Sequence, residues 1–599
     1  MNALNKTILC ILTGLTLLGT PKNLKSQEKQ KKQFIGLSQN LEQKLTNNSS
    51  NYNKRIKEYR EGLGYYALMD NNGIRIIIEK DKSILSEVQI DSSQFEIIKR
   101  LYNPEEIPNF NLFEDYGIDT TNKIDLLEFN NFFMTVEEDS NLINEGLNLT
   151  EDMKDKIKEN IKFADKNSNH FLLALNKFKD NKDNFGLYTG LWYLSHMKDH
   201  KFVYKEGEEF INEFDLNKMD AITFYENIFY ALKEKKESQW TTSWDDFFKF
   251  TLSNRITQEP LTRWRAHFYN AIVPVIKNKF KNKKEAAKYF NQLGNSLTRF
   301  MMTSFEDFNA YGILATNAGR CEELTSFTSY FLATVGGTPM HVYTPVWSKI
   351  DGNHAWLGEG TKDEFLSLDG CIPQPNDPLV HIGKTFAKVY GLSPFGEMKD
   401  LTKEYTRTAV IKLEGLLPNS LYFLNVFNFG DWREVNKQKA NENGYLILKD
   451  VGCNEPILYA ITSNKLNYYT QEDPILVHNP FILNPDSTVT ELSLTEDNLQ
   501  EIEINPRDKE SFPDAFSWFN INDTTSFNNS SYTLMHTDSI GWENKGNITV
   551  TNSKYFKFNM APNTVYSIYK NFDGKNNADA VSRPLILIKK GNQYSIEEF

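Results

Sequence analysis

Asn317-Ala-Gly-Arg-Cys321-Glu-Glu-Leu-Thr-Ser-Phe-Thr-Ser-Tyr-Phe-Leu-Ala-Thr-Val-Gly-Gly-Thr-Pro339 is the stretch on which the reading of this chain turns. Leu324, Phe327 and Phe331 fall on one face at helical spacing, and Gly336-Gly337 followed by Pro339 is a stop signal. The spacing therefore predicts a helix from near Arg320 to near Val335, with Cys321 in its first turn. Unpaired N–H groups and the positive end of the helix dipole favour a thiolate at that position. A small buried hydrophobe is the competing role for such a cysteine. Glu322 and Glu323 suit a helix N-terminus, but as nearby negative charges they oppose thiolate formation, so the dipole cannot activate the sulfur alone. A base is needed.

Downstream, Met340–Trp347 reads as a strand, Ser348–Gly352 as a turn, Asn353–Leu357 as a second strand and Glu364–Asp369 as a third. Pairing of the last two across Gly358–Asp363 puts His354 opposite Ser367 or diagonal to Asp369, on one face of the sheet. Cys321, His354 and Asp369 then have the types that nucleophilic catalysis requires. The imidazole takes the thiol proton, and the carboxylate fixes the imidazole tautomer. On spacing alone, a histidine in a strand is more often structural than catalytic.

The order Gly319-Arg-Cys-Glu-Glu, Asn353-His-Ala-Trp and Leu368-Asp resembles the core of the transglutaminase-like superfamily of papain-like cysteine enzymes. Arg255-Ile-Thr-Gln-Glu-Pro-Leu-Thr-Arg-Trp264 ahead of it, and Phe386–Tyr390 and Phe429-Gly-Asp-Trp432 after it, resemble the larger secreted multidomain members of Bacteroidetes-type bacteria. The resemblance implies an α+β protein: a helical N-terminal region, a papain-like core with the cysteine helix packed on an antiparallel sheet, and C-terminal β-sandwich modules. It implies a thioester at Cys321, His354 as base and Asp369 as orienting acid, with acyl transfer from a peptide or side-chain amide to an amine or to water. Transamidation, deamidation and proteolysis all remain open. The Cys321 backbone N–H would hold the oxyanion with a second donor, for which Tyr311 and Asn317 are both candidates. Calcium use is not carried over, because the chain has no Asp-x-Asp-x-Asp-Gly loop. No cofactor and no metal are expected. The rival reading is a catalytically silent protein of the same fold that recognises glycan or protein at the cell surface.

Composition bounds the rest. The chain has 599 residues, 40 % hydrophobic and 13 % aromatic, too large and too apolar for a disordered tail. Residues 1–26 carry Lys6, an uncharged run Thr7–Thr20, then Pro21 and Lys22, the pattern of a secretory signal peptide and too short to span a bilayer as a helix. The expected location is exported: periplasmic, cell-surface or secreted, with no membrane span after cleavage. The net charge of −12 becomes about −15 without Lys6, Lys22 and Lys25, the wrong sign for a phosphate-backbone partner, so nucleic acid is excluded. The expected partner is a protein or peptide substrate, including cell-wall or glycan-linked ones.

Working outward, residues 27–55 read as a solvated lead-in, and 56–240 as a mixed, mainly helical region that includes a hairpin at Asn71-Asn72-Gly73. Residues 241–395 hold the core with its helical lead. Strand-sized runs over 396–480 read as a β-sandwich, and 481–599 as a second β-rich module beyond an Asn/Pro/Asp-rich joint at 479–487. Of the four cysteines, Cys371 and Cys453 can pair or stay free, and no CxxC spacing supports a zinc site. His196 and His200 lie four apart on an expected helix and read as a surface pair, and Trp356 shares the face of His354 as cleft wall or core.

Overall fold

A computed structural model describes residues 32–34, 63–70, 73–80, 83–102, 104, 107, 116–121, 139–206, 209–238, 240, 242–276, 279–300, 307–316, 318–360, 365–368, 381–392, 398–464, 474–505, 531–538, 541–551, 555–570, 579–580, 582–591 and 593–599. The expected signal peptide, Cys10, Asn317, Asp369 and Cys371 lie outside the described residues. The chain is α+β, with helices and antiparallel sheets and a strand-rich C-terminal region. It divides into two compact units, residues 1–339 with 390–395, and 340–389 with 396–599, so the residues of the expected 241–395 core are shared between them.

In the first unit, β1 (Lys32–Phe34), β2 (Leu63–Asp70), β3 (Gly73–Lys80) and β4 (Ser83–Ile90) form an antiparallel sheet in that order. Asp70 pairs with Gly73, as a two-residue Asn-Asn connection demands. The lead-in expected to stay solvated contributes β1, whose Lys32 pairs with Ala67. The helices that follow are α1 (Ser92–Tyr102), α2 (Glu151–Ala164), α3 (Ser168–Asp180), α4 (Asn184–His196), α5 (Ala221–Glu237), α6 (Trp264–Ile276), α7 (Lys283–Leu297), α8 (Ala310–Thr316) and α9 (Cys321–Thr334). Among them, β5 (Lys201–Glu206) pairs antiparallel with β6 (Glu209–Phe214), and the two-residue β7 (Arg299–Phe300) and β8 (Ala318–Gly319) pair in parallel. One apolar core runs through α2 to α5, with Phe171, Leu175, Leu187, Leu191, Phe224 and Ile228 all fully buried. The helical period read at Phe224 and Ile228 thus marks the inner face of α5.

The quoted stretch forms α9, capped by Arg320 and Val335, matching the sequence expectation. Its C-terminus closes as a Schellman motif. Gly337 N–H donates to Leu332 O at 3.0 Å and Gly336 N–H to Ala333 O at 2.8 Å, with Gly336 at φ 76°. A side chain at Gly336 would also meet Ser238 Cβ at 2.5 Å, so glycine is required there twice over. Phe331 is sandwiched between Phe268 of α6, centroids 5.5 Å apart, and Phe290 of α7, 5.9 Å apart. Every residue of α9 but Glu322 is buried, so its small Ser and Thr side chains face neighbouring helices rather than water, and Gly294 of α7 leaves room for Thr328.

In the second unit, β9 (Pro339–Thr344), β10 (His354–Gly360), β11 (Phe365–Leu368), β12 (Phe386–Lys388) and β13 (Met398–Asp400) form a sheet ordered β11-β10-β9-β12-β13. A two-stranded sheet of β14 (Thr408–Leu413) and β17 (Leu446–Gly452) faces one ordered β16 (Asp431–Lys439), β15 (Leu421–Asn428), β18 (Ile457–Thr462), β19 (Phe481–Leu483) and β20 (Val489–Glu491). Their shared core includes Ile411, Leu448, Leu424, Val426, Tyr459 and Phe481. The expected joint at 479–487 instead supplies β19, paired with β18 through Tyr459 and Phe481. The apolar triplet Phe481-Ile-Leu483 is short, and its Asn and Pro flanks masked it. A further antiparallel module over 500–598 has its own core of Tyr532, Leu534, Phe556, Ile568 and Leu585. A second cluster of Phe427, Trp432, Leu458, Val565, Ile586 and Phe599 joins the two modules.

Candidate active site

The start of α9 is built by its own first residues. Arg320 N–H donates to Glu323 Oε2 at 2.6 Å, and the Arg320 guanidinium donates to Glu323 Oε1 at 2.7 Å and to Asp307 Oδ1 at 2.7 Å. The third helical residue thereby turns back on the cap, half of a capping box with an arginine in the cap position. Glu323 is almost fully buried, and burial pushes its carboxyl up to about 7 against the opposing pull of Arg320. A Cβ at Gly319 would come within 2.5 Å of Glu323 Cβ, so the glycine admits the acid. Gly319, Arg320 and Glu323 therefore form a latch that makes Cys321 the first helical residue.

Cys321 is 6 % exposed, and its thiol donates to Glu322 Oε2 at 3.0 Å. That contact holds the proton on sulfur, the opposing influence expected from sequence. Glu322→Gln removes a unit charge worth ~1 kcal/mol at such range in water, so alkylation of Cys321 by iodoacetamide at neutral pH should speed up about fivefold. An unchanged or slower rate, read by mass spectrometry of the labelled peptide, overturns this.

The block Arg255–Trp264 braces the same helix. Glu259 accepts the N–H groups of Ile256 and Thr257, each at 2.6 Å, and the hydroxyl of Tyr330 of α9 at 2.6 Å. Trp264 Nε1 donates to Asn254 O at 2.7 Å, and Arg255 holds the buried Asp215 through bonds of 2.9 and 3.1 Å. Its role is support of α9 from behind.

His354 is the first residue of β10, in the second unit, and is buried. Its imidazole lies against two indoles, Trp356 with ring centroids 5.6 Å away and Trp347 at 5.9 Å, and the two indoles are parallel at 6.1 Å. Trp356 shares the face of His354, as alternation requires, and its Nε1 donates to Tyr405 Oη at 2.8 Å. Fully buried, Trp356 is a packed wall that orients the imidazole. Nothing in the sequence singled out Tyr405 or Asp307, which are isolated polar residues outside any motif.

Three expectations are corrected. The ladder pairs Gly358 with Ser367 and Leu357 with Leu368, so Ser367 does not face His354. β10 continues through Gly358-Glu-Gly360 before it turns, because glycines at its end do not break the ladder, and the connection is confined to residues 361–364. Tyr311 is buried, stacks on His267 and donates its hydroxyl to Arg263 O at 3.3 Å, so its one proton is committed away from any oxyanion. His196 and His200 do not share a helix. α4 ends at His196, whose ring folds back onto Trp192 at 4.0 Å, and a 3₁₀ turn then carries His200 into the interior. Cys453 is a free buried thiol.

Among the described residues, no group of three or more His, Cys, Asp or Glu side chains is placed to hold a metal ion, and no helix is long and apolar enough to cross a membrane. No protein-family model matches the sequence, and no curated protein does. Among solved structures, the chain is similar to the crystal structure of red sea bream transglutaminase, at 8 % identity and a TM-score of 0.16, over 89 % of this chain and 86 % of that one. A likeness of that size carries no weight for fold or function.

Proposed function

We propose that the protein is an exported, cysteine-dependent acyl-transfer enzyme with a transglutaminase-like, papain-like core that acts on peptide or side-chain amides. The observation that carries the reading is the latch of Gly319, Arg320 and Glu323, which starts a buried helix at Cys321. In the reaction, His354 takes the Cys321 proton and the thiolate attacks the amide carbonyl. The Cys321 backbone N–H, at the first position of the helix, helps hold the oxyanion. Collapse breaks the C–N bond, the leaving amine takes the proton from the imidazolium, and a thioester remains. An amine or water then attacks the thioester, gives its proton to His354, and the thiolate leaves. Asp369 is assigned the role of orienting acid from the sequence resemblance.

The Cys321–Glu322 contact favours a second reading, a catalytically silent binding protein, because it stabilises the thiol rather than the thiolate. Alkylation by iodoacetamide near neutral pH separates the two. The enzyme reading expects Cys321 to react at least ~10-fold faster than Cys371 and Cys453, and His354→Ala to abolish that advantage. Activity-based profiling of wild type against Cys321→Ala then identifies the acyl donors. Equal reactivity of the three cysteines leaves the binding reading in place.

A further inference from the structure

The turn that delivers His354 into its strand is held by side chains from the β modules of the same unit. Trp347 N–H donates to Gly352 O at 2.9 Å and closes the turn. Inside it, the Asn428 side chain does what a bound water would do. Its Nδ2 donates to Trp347 O at 2.7 Å and to Ile350 O at 2.8 Å, and its Oδ1 accepts the Gly352 N–H at 3.1 Å. Asn428 is fully buried, at the end of β15.

Two further contacts grip the turn. Phe429 N–H donates to Asp351 Oδ1 at 2.6 Å, and Arg583 of the C-terminal module donates to Ser348 O at 2.7 Å and Asp351 Oδ1 at 3.4 Å. Phe429 and Gly430 occupy the hairpin tip between β15 and β16 at φ 49° and 78°. A bulky aromatic in the left-handed region is strained, and such strain persists only where the surroundings impose it. The two-residue connection between Asn428 and Asp431 imposes it here, and the bond to Asp351 ties that tip to the turn.

Resting on the catalytic role assigned to His354 above, we propose that Asn428 is a positioning residue: it fixes the Trp347–Gly352 turn and so sets the imidazole of His354 against Trp347 and Trp356. No side chain other than an amide at this position both donates twice and accepts once in this geometry. Asn428→Asp keeps the shape but turns carboxylate oxygens toward two carbonyls, while Asn428→Ala leaves the turn unfilled. Val435→Ala, in the sandwich core, is the control for general loss of stability.

The test follows the His354 ring signals by NMR in full-length protein, together with the pH profile of Cys321 alkylation. Asn428→Ala and Asn428→Asp are expected to move the His354 ring signals away from their wild-type positions. In the acyl-transfer assay they should lower kcat ~10-fold with KM little changed, since small misplacement of a catalytic group costs on this scale. Val435→Ala should leave the His354 signals at their wild-type positions. If both Asn428 variants keep the His354 signals of the wild type, or if Val435→Ala moves the His354 signals equally, the proposal is overturned. Failure of the enzyme reading is separately visible, as unselective cysteine labelling in the wild type, and leaves the NMR comparison intact.

Discussion

Arg265→Met is expected to destabilise the helical unit by roughly 3–5 kcal/mol, the loss measured when one partner of a buried ion pair is removed. Arg265 and Glu234 both have side chains at most 1 % exposed. The guanidinium meets Glu234, donates from Nε to Asn227 Oδ1 at 2.7 Å and from Nη2 to Ser253 O at 3.0 Å, and also reaches Thr251 O from Nη2. Thr251 closes a π-helical turn, Phe247–Thr251, whose wider winding leaves that carbonyl available. One side chain thus satisfies α5, the π turn and the segment leading to the Arg255 block. Methionine fills much of the volume but leaves a carboxylate and two carbonyls dry. The double variant Arg265→Met/Glu234→Met removes the stranded charge and should recover part of the loss, leaving the carbonyls as the residual cost. Chemical denaturation followed by far-ultraviolet circular dichroism reads both. A single variant within about 1 kcal/mol of wild type, or a double variant worse than the single, contradicts the account.

The sequence was most informative where a local rule coincides with the tertiary outcome. The helix α9 was legible from end to end because its glycines both terminate it and sit where no Cβ fits. Thr408–Leu413 is legible as a strand because alternation and burial agree there, and Ile457–Ile461 because a short all-apolar run suits a strand buried on both faces. Register was not legible. The pairing of β10 with β11 depends on how far β10 runs before it turns, and Gly358-Glu-Gly360 signals a break as readily as a continuation. Polar residues whose partners are remote were also hidden. Asn428 looks like any strand-end asparagine until the turn more than seventy positions earlier in the chain folds around it, and Asp307 gains meaning only beside Arg320. The interior place of His200 is hidden because the helix gives way after His196 to a 3₁₀ turn, Met197–Asp199, that no local signal marks.

His267 provides the second large effect, and its sign needs care. The imidazole is completely buried, between Tyr311 at 5.7 Å and Phe268 at 5.9 Å, and burial lowers its pKa from 6.5 to about 4. The folded state therefore refuses a proton that the unfolded chain accepts. Between pH 6.5 and 4 the unfolded state binds more protons at this site, so the contribution to stability is fully present above 6.5 and is lost as the pH falls toward 4. The gap of 2.5 units (6.5 − 4) amounts to roughly 3 kcal/mol. His200 acts in the same direction, also lowered to about 4 by burial, beside Asp215 and Arg255. The buried carboxyls of Glu226, Glu234 and Glu323 act in the opposite direction, because burial raises them and the folded state holds their protons more tightly. The pH profile of the wild type is a sum of these terms and does not isolate any of them, whereas a difference between two variants does. His267→Phe keeps a flat ring between Tyr311 and Phe268 and removes the titrating group. Near pH 7 it should match wild type to within about 1 kcal/mol, and by pH 4 it should exceed wild type by roughly 3 kcal/mol, as the unfolded wild type alone takes up the extra proton. Denaturation midpoints that stay parallel for the two proteins from pH 7 to 4 would mean that His267 charges without cost in the fold, and that its burial is looser than the structure shows.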